Sequence, residues 1–502
     1  MKTFKIYLSI TFLGLALTSC QKYVDIKKNS NASLIETAND CQLLLDNYGV
    51  MNTGYPHDME VSADDYYVEN SKLLSSDVKQ PDRDFYAWVP TAIRPGADNW
   101  RNPYYVTYYS NLVLETVAKL QGSEDQNKLN GLRGAALFFR SFCFWNIAQM
   151  YAKPYDAATA GNDPGIPLRL SSDINDKSER GTVQQTYAQI TKDLEEAATL
   201  MPNLSTPKSR PSKAAAYAML ARVYLSMGDY AKAGSNASLA LGLYSTLIDY
   251  NTVNADSEPA FSTRFNDEVI FHAVMANNEI LSPSTGTRID DALYASYSGN
   301  DRRKVVFFNE NSTGVQVKNP PNPLNPAEDT RFTDVSFPNG TFRFTGNYEP
   351  VTKAEFFTGL ATDELYLIRA EARARANERD LAWQDLNTLL VKRTSGTYTP
   401  LGGGTANDAL TRTLSERRKE LLMRGLRWTD IRRLKLAVSR KTIDFTPTVT
   451  GLYSDGGNGS TYTITPGYTV RATYNLSADD IRKTLLIPDE VIRNSSIAQN
   501  PR

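Results

Sequence analysis

Five aromatic residues in stretches without helical periodicity could bind a ligand through their rings. The chain of 502 residues contains 28 Tyr, 19 Phe and 5 Trp. A tyrosine or tryptophan ring can stack on the apolar face of a sugar, while nearby amide, carboxylate or guanidinium groups bond to the sugar hydroxyls. The alternative is that these rings are buried beneath long loops. The candidate ligand-binding residues are Tyr66, Tyr67, Trp88, Tyr294 and Tyr297, the last two followed by Asn300, Asp301 and Arg302.

The amino terminus carries a cysteine that could be modified with lipid. Lys2 and Lys5 precede an uncharged run from Ile6 to Leu17. As a helix this run would reach roughly 18 Å, short of the ~30 Å hydrocarbon core, so it predicts a secretory signal and not a membrane span. The stretch LALTSC ends on Cys20 and resembles the lipobox of bacterial lipoproteins. Cys20 is therefore the predicted lipid anchor, and the alternative is a chance cysteine after an ordinary signal.

Other reactive chemistry is poorly represented in the sequence. His57, His272, Cys41 and Cys143 form no pair at metal-ligand spacing. We find no hydrolase or phosphate-binding motif, although spacing alone leaves open a pair of carboxylates that folding brings together. With 55 Lys and Arg against 56 Asp and Glu, the net charge of −1 does not favour nucleic acid. The sequence predicts no enzyme activity, no cofactor and no metal site.

An acidic cluster near the amino terminus has two interpretations. Asp58, Glu60, Asp64 and Asp65 could bind Ca²⁺ through their oxygens. Their spacing is not that of a known calcium loop, so a solvated acidic face is the favoured interpretation.

Helices are predicted to dominate from Trp100 onward. Apolar residues recur there at intervals of three and four, which is typical of amphipathic helices. The segment 212–241 combines a capping residue, Ser212, with a turn at Gly228 and small residues that would let a second helix approach closely. It resembles a tetratricopeptide helix-turn-helix unit, and a weaker copy follows at 362–393. Between the two units, residues 251–360 are rich in Asn, Pro, Ser, Thr and Gly and predict a long irregular insert that could carry a binding surface.

The stretch LSERRKELLMRGLRWTDIRRLK resembles a block near the carboxyl terminus of the SusD/RagB family. Arg424 departs from the family, which usually has Glu there. The interleaved charges favour an intramolecular network over an anion-binding patch, and Glu420 and Arg424 are spaced for an ion pair on one helix. The lipobox and the helical blocks extend the resemblance over nearly the whole chain. The matching residues are Glu416, Arg417, Glu420, Leu421, Gly425, Arg427, Asp430, Ile431 and Arg433.

The resemblance implies a mostly α-helical fold, with tetratricopeptide-like hairpins as scaffold, long irregular loop insertions and a few short strands. It also implies a lipoprotein on the cell outer membrane, facing the exterior, that captures glycan and acts as the lid of a TonB-dependent (SusC-like) barrel transporter. Peptide cargo, or a lipid-anchored adaptor that binds only protein, are the alternatives.

The expected organisation is a signal peptide, a tether and one folded domain. The boundaries are 1–19 for the signal, 20–35 for the tether and 36–502 for a single domain, itself divided into 36–250, 251–360 and 361–502.

Overall fold

The computed structural model describes residues 35–96, 98–282, 286–320, 332–350, 355–452 and 461–502. The predicted signal, Cys20 and the tether up to residue 34 lie outside these ranges. Within them, no helix combines the length and the apolar character needed to cross a bilayer. The α-helices, in chain order, are α1 (Ala38–Leu45), α2 (Tyr48–Met51), α3 (Asp58–Val61), α4 (Asn70–Leu73), α5 (Gln80–Tyr86), α6 (Asp98–Lys119), α7 (Gln126–Tyr151), α8 (Val183–Leu200), α9 (Lys213–Met227), α10 (Tyr230–Leu243), α11 (Asp291–Ala295), α12 (Arg303–Val306), α13 (Thr362–Arg375), α14 (Arg379–Leu390), α15 (Ala406–Glu420), α16 (Arg427–Arg433) and α17 (Asp489–Arg493).

Short strands form small sheets beside the helices. Their bounds are β1 (Tyr66–Glu69), β2 (Pro164–Pro167), β3 (Arg180–Thr182), β4 (Val269–Phe271), β5 (Thr287–Ile289), β6 (Phe308–Lys318), β7 (Phe332–Phe344), β8 (Leu360–Ala361), β9 (Val438–Phe445), β10 (Thr448–Leu452), β11 (Thr461–Thr465) and β12 (Tyr468–Leu476). The largest sheet has the order β12-β9-β1-β5 and joins strands from three distant parts of the chain. In this sheet β1 is parallel to β9 and antiparallel to β5, with Tyr67 opposite Arg288.

The long helices pack on one another in chain order. Contacts run from α6 to α7, α8, α9 and α10 in succession, and α10 then packs on α13, which contacts α14 and α15. The chain therefore leaves the helical stack after α10, forms the insert and returns to the same stack. The mostly α-helical fold with tetratricopeptide-like hairpins is confirmed, and the single domain over 36–502 stays a prediction.

The unit at 212–241 folds as its sequence indicates. The Ser212 side chain accepts a hydrogen bond from the Ala215 amide at 3.2 Å and so caps α9. Gly228 ends α9 with φ at +75°, a conformation that costs glycine little. On α10, a Cβ at Gly234 would lie 2.7 Å from the Ala372 Cβ of α13. Small residues therefore permit the close approach that rejoins the two halves of the stack.

The insert is more ordered than its composition predicts. The apolar pieces of its sequence form β4, which pairs with β8, and the long antiparallel hairpin of β6 and β7. Phe271 of β4 is fully buried against α7. Polar composition concealed these strands, because β4 is only three residues long and β6 and β7 themselves contain many polar residues.

The C-terminal block is an intramolecular ion network, as its interleaved charges predict. Arg303 from the insert bonds to Glu416 at 2.6 Å and to Glu420 at 2.9 Å, with all three side chains at most 1% exposed. The predicted pair between Glu420 and Arg424 is wrong. Helix α15 ends at Glu420, and Arg424 turns instead toward Asp363 at 2.8 Å.

Neither interpretation of the acidic N-terminal cluster is correct, because all four carboxylates are buried. Three of them pair with arginines: Asp58 with Arg94, Asp64 with Arg427 and Asp65 with Arg418. The pairs of Asp64 and Asp65 tie the amino-terminal segment to the C-terminal block, while the pair of Asp58 lies within that segment. The cluster is therefore part of the framework and faces neither solvent nor an open cation site.

The fourth carboxylate, Glu60, has no cationic partner within salt-bridge distance in the described part of the chain. One of its oxygens accepts the Gly425 amide at 2.8 Å, and the other is buried without a hydrogen-bond partner. Burial, reinforced by the charge of Asp65, raises the pKa of Glu60 to about 8.

Glu60→Gln should flatten the fall in the free energy of unfolding between about pH 4.5 and pH 8. Between about pH 4.5 and 8 the folded state retains the Glu60 proton while the unfolded chain releases it, so the free energy of unfolding falls as pH rises. Glutamine mimics the protonated acid and removes this contribution. Denaturant unfolding at pH 5 and pH 8 measures the change, with Glu124→Gln at an exposed position as control. An unchanged pH dependence in Glu60→Gln would contradict the assignment.

Candidate functional site

Two of the predicted ligand-binding aromatics lie together in the interior. Tyr66 is 1% exposed and donates to the Val61 carbonyl at 2.9 Å. Trp88 is 4% exposed, and its indole N–H donates to the Ser62 carbonyl at 3.0 Å. The Arg440 guanidinium stacks on both rings, 5.0 Å and 4.7 Å from their centroids. Their faces are thus covered by protein.

The other three predicted residues either belong to the insert or contact it. Tyr67 is 1% exposed and donates to Asp291 at 2.9 Å. Tyr297 is also buried and donates to the Lys419 carbonyl at 2.7 Å. Tyr294 is half-buried, and its ring stacks on Phe342 with centroids 3.7 Å apart.

These positions correct the premise on which the five residues were chosen. Lack of helical periodicity predicts that the rings lie on open loops, but four of the five side chains are core residues. Their hydroxyl or indole groups are already satisfied by protein acceptors, so a sugar would have to displace those bonds. The polar neighbours are used in the same way, since Asp301 bonds to Arg303 at 2.7 Å.

The described surface contains one large groove lined by aromatic residues, which we call the tyrosine groove. Its volume is about 930 Å³, within the range of ligand pockets. Helix α6 forms the floor, where Trp100, Tyr104, Tyr105 and Tyr108 recur at intervals that place them on one face. The loop 167–179 and the C-terminal residues 490–497 form the walls. The walls thus come from parts of the chain separated by more than 300 residues.

The tyrosines of the floor differ in exposure. Tyr105 is 49% exposed and Tyr108 half-buried, so both offer surface to a ligand. The Tyr104 hydroxyl is used internally and donates to the Pro167 carbonyl at 2.7 Å. The hydroxyls of Tyr105 and Tyr109 are 2.5 Å apart. This hydrogen bond, together with burial, raises the pKa of Tyr109 to about 12. The rings therefore support one another in a packed row.

The loop wall is held by side chains of α6. The buried Asn111 amide donates to the carbonyls of Arg169 and Ser171, both at 3.0 Å. Its own oxygen accepts from Arg140 at 2.9 Å. Glu115 accepts the Ser172 amide at 2.7 Å. The position of the wall is therefore fixed by bonds to a rigid helix.

The C-terminal wall is held by Asn500. Its amide donates to the carbonyl of Tyr151 at 2.9 Å and to that of Leu485 at 2.7 Å. A groove with fixed walls and an aromatic floor can bind an extended ligand without large rearrangement.

The five predicted residues do not include this groove, although the sequence of α6 contains a signal for it. The stretch WRNPYYVTYYSN is typical of an amphipathic helix, and such a helix would bury Trp100 by packing. Trp100 is indeed 7% exposed and packs on Tyr104 and Tyr151. The paired tyrosines at 104, 105, 108 and 109, however, are more than one buried stripe can accommodate, so some of them had to face outward.

Comparison with known proteins agrees with the fold. Residues 22–225 match a family model described as "Starch-binding associating with outer membrane", and residues 362–502 match the SusD family. The chain is 25% identical over 386 residues to SusD-like protein P2 of Formosa agariphila, covering 67% of this chain and 71% of that protein.

Solved structures with the same fold cover almost the whole chain. A putative sugar binding protein from Bacteroides vulgatus matches with a TM-score of 0.68 and 20% identity, over 93% of this chain and 99% of that one. A SusD superfamily protein from Bacteroides thetaiotaomicron matches with a TM-score of 0.67 and 21% identity, over 93% and 100%. A laminarin binding SusD-like protein matches with a TM-score of 0.60 and 18% identity, over 92% and 98%.

The matches agree with one another and with the residues of the C-terminal block. Two models of one family cover separate parts of the chain, in the expected order, on either side of the insert. The chain belongs to the SusD/RagB family.

Proposed function

We propose that this protein captures oligosaccharide in the tyrosine groove and passes it to an outer-membrane transporter. The observation that carries the proposal is the row of aromatic rings on one face of α6, within a groove whose walls are polar. Rings of this kind supply stacking surfaces for sugars, while the amide of Asn494 and the hydroxyl of Ser496 can bond to sugar hydroxyls.

The relatives support glycan as the ligand class. One family model is described as starch-binding, and one solved neighbour binds laminarin. The remaining parts of the proposal follow from the family. Cys20 would carry the lipid that anchors the chain to the outer membrane, facing the exterior, and the chain would act as the lid of a TonB-dependent barrel. We assign it binding and no catalysis.

A protein-only adaptor is the second candidate, and one surface favours it. Helix α14 and the loop after it enclose a hollow of about 580 Å³ lined partly by Trp383, Val391 and Leu401. The Trp383 indole N–H donates to the Gly403 carbonyl at 3.0 Å, so the loop already uses its polar group. An apolar hollow of this kind suits a protein segment better than a sugar.

Tyr105→Ala and Tyr108→Ala should each weaken glycan binding by about 5–30-fold. The loss of one stacked ring costs about 1–2 kcal/mol of binding free energy. Native affinity electrophoresis of residues 21–502 through gels containing a panel of polysaccharides identifies the ligand, and calorimetry with that ligand measures the variants. Tyr468→Ala is the matched control, because Tyr468 is a 39% exposed tyrosine on β12 outside the groove lining, and its hydroxyl shares Asp291 of the insert with that of Tyr67.

The outcomes separate the candidates. Loss of binding in Tyr468→Ala with normal binding in Tyr105→Ala would move the site from the groove to the region of the insert, where Tyr294 lies. Retardation by none of the polysaccharides would favour peptide cargo or the adaptor, and the search would then turn to a barrel partner in detergent extracts.

A further inference from the structure

Basic and acidic side chains line the tyrosine groove in equal number, but they differ in how many already bond to other groups of the protein. The groove is lined by three basic and three acidic side chains. They are Arg101, Arg169 and Lys177 on the basic side, and Asp176, Glu179 and Glu490 on the acidic side.

Both arginines are already engaged. Arg101 forms an exposed ion pair with Asp98 one turn earlier on α6. The Arg169 guanidinium donates to the carbonyls of Asp173 and Asp176, and to the Ser178 hydroxyl at 3.2 Å. An arginine binds sulfate or carboxylate well when its donors are free to form a bidentate pair. Here those donors hold the loop wall in place, so Lys177 is left as the available cation of the lining.

The acidic side chains are not neutralised in this way. In the described part of the chain, Asp176, Glu179 and Glu490 lie in no salt bridge, and the contact of Glu490 is with the Gly96 amide at 2.9 Å. Bonds to carbonyls leave the charge of Arg169 in place, so in this part of the chain three unpaired acidic groups face two unpaired cations, Arg169 and Lys177, and the lining keeps an excess of negative charge. An anionic ligand would lose its hydration there and meet like charge, both of which weaken binding.

We infer that the tyrosine groove selects uncharged oligosaccharides and discriminates against sulfated or uronic-acid-containing ones. This inference rests on the proposed function of the same groove. Aromatic rings and neutral hydroxyl and amide groups supply the attraction, and the acidic wall supplies the discrimination. Specificity of this kind depends on a repulsive element as well as on attractive contacts.

The test compares polymers that share a backbone and differ in charge. The pairs are laminarin with laminarin sulfate, and hydroxyethyl cellulose with carboxymethyl cellulose, each in affinity gels with the whole exported chain. For at least one pair we expect the uncharged member to bind at least about tenfold more tightly than the anionic one. The affinity of the uncharged member should change little between low and high salt. In the double variant with Asp176→Asn and Glu179→Gln, this ratio should fall, while Asp229→Asn on a distant exposed turn should leave it unchanged.

Each result has one interpretation. Tighter binding of the anionic member, with loss of that binding in Tyr105→Ala, would overturn the charge preference and retain the groove as a glycan site. An unchanged ratio in the double variant would also overturn it, since the acidic wall would then contribute nothing. Absence of binding to these polymers and to every member of the wider panel would overturn the proposed function and this inference together.

Discussion

Arg393→Met should lower the free energy of unfolding by about 3–5 kcal/mol. The Arg393 side chain is fully buried and lies between two carboxylates, Glu268 and Glu420, at 2.7 Å from each. A third donor bonds to the Ile248 carbonyl at 2.7 Å. Methionine preserves much of the volume but leaves two buried carboxylates with one cation fewer. The cost therefore comes from the uncompensated charge and not from a cavity.

Denaturant unfolding measures this loss, and Arg379→Met is the matched control. Arg379 pairs with Asp380 at 2.8 Å, but the two side chains are 39% and 80% exposed. Solvent screens an exposed pair of this kind, so Arg379→Met should leave the free energy of unfolding nearly unchanged. A loss below about 1 kcal/mol in Arg393→Met would mean that the buried carboxylates become protonated or hydrated at little cost when the cation is removed.

The same network shows which features of the fold the sequence could predict. The alternation of Glu and Arg in the C-terminal block predicts internal pairing, because like charges are interleaved with unlike ones. The partners could not be named, since Arg303 and Arg393 reach Glu420 from 117 and 27 residues away. Glu420 and Arg424 have the four-residue spacing of an ion pair on a helix, but the helix ends between them. Local spacing predicts a pair only where the helix continues.

Local signals were reliable for the helical scaffold. Ser212 and Gly228 mark the two ends of α9 because capping and left-handed termination depend on neighbours within one turn. The close approach of α10 and α13 at Gly234 joins residues on opposite sides of the insert. The small residues of α10 predict that another helix approaches it closely, but they do not identify α13 as that helix.

The ligand site was harder to predict because exposure is a tertiary property. Tyr66 and Trp88 lack helical periodicity and are nevertheless core, since a short strand and Arg440 cover them. Tyr105 lies in a strongly periodic helix and is nevertheless exposed. The walls of its groove come from residues 167–179 and 490–497, whose proximity no local pattern could indicate.

Phe271→Ala should lower the free energy of unfolding by about 3–5 kcal/mol, the range for removing a large buried ring. Phe271 belongs to β4 of the insert and is fully buried. Its ring lies 4.7 Å from Phe138 and 5.6 Å from both Phe139 and Phe142, in edge-to-face contacts with α7. Alanine would leave a cavity beside a rigid helix that cannot collapse into it, so the loss should lie in the upper part of the range.

Phe332→Ala is the control for this prediction, because Phe332 opens β7 in the same insert and is 55% exposed. Its replacement should change the free energy of unfolding by about 0.5 kcal/mol or less. Equal effects of the two substitutions would mean that the insert packs as a loosely attached surface layer. A large difference would show that the insert contributes a strand to the core. Glycan affinity measured on folded Phe271→Ala should remain unchanged, since the tyrosine groove is formed by α6 and walls that do not include β4.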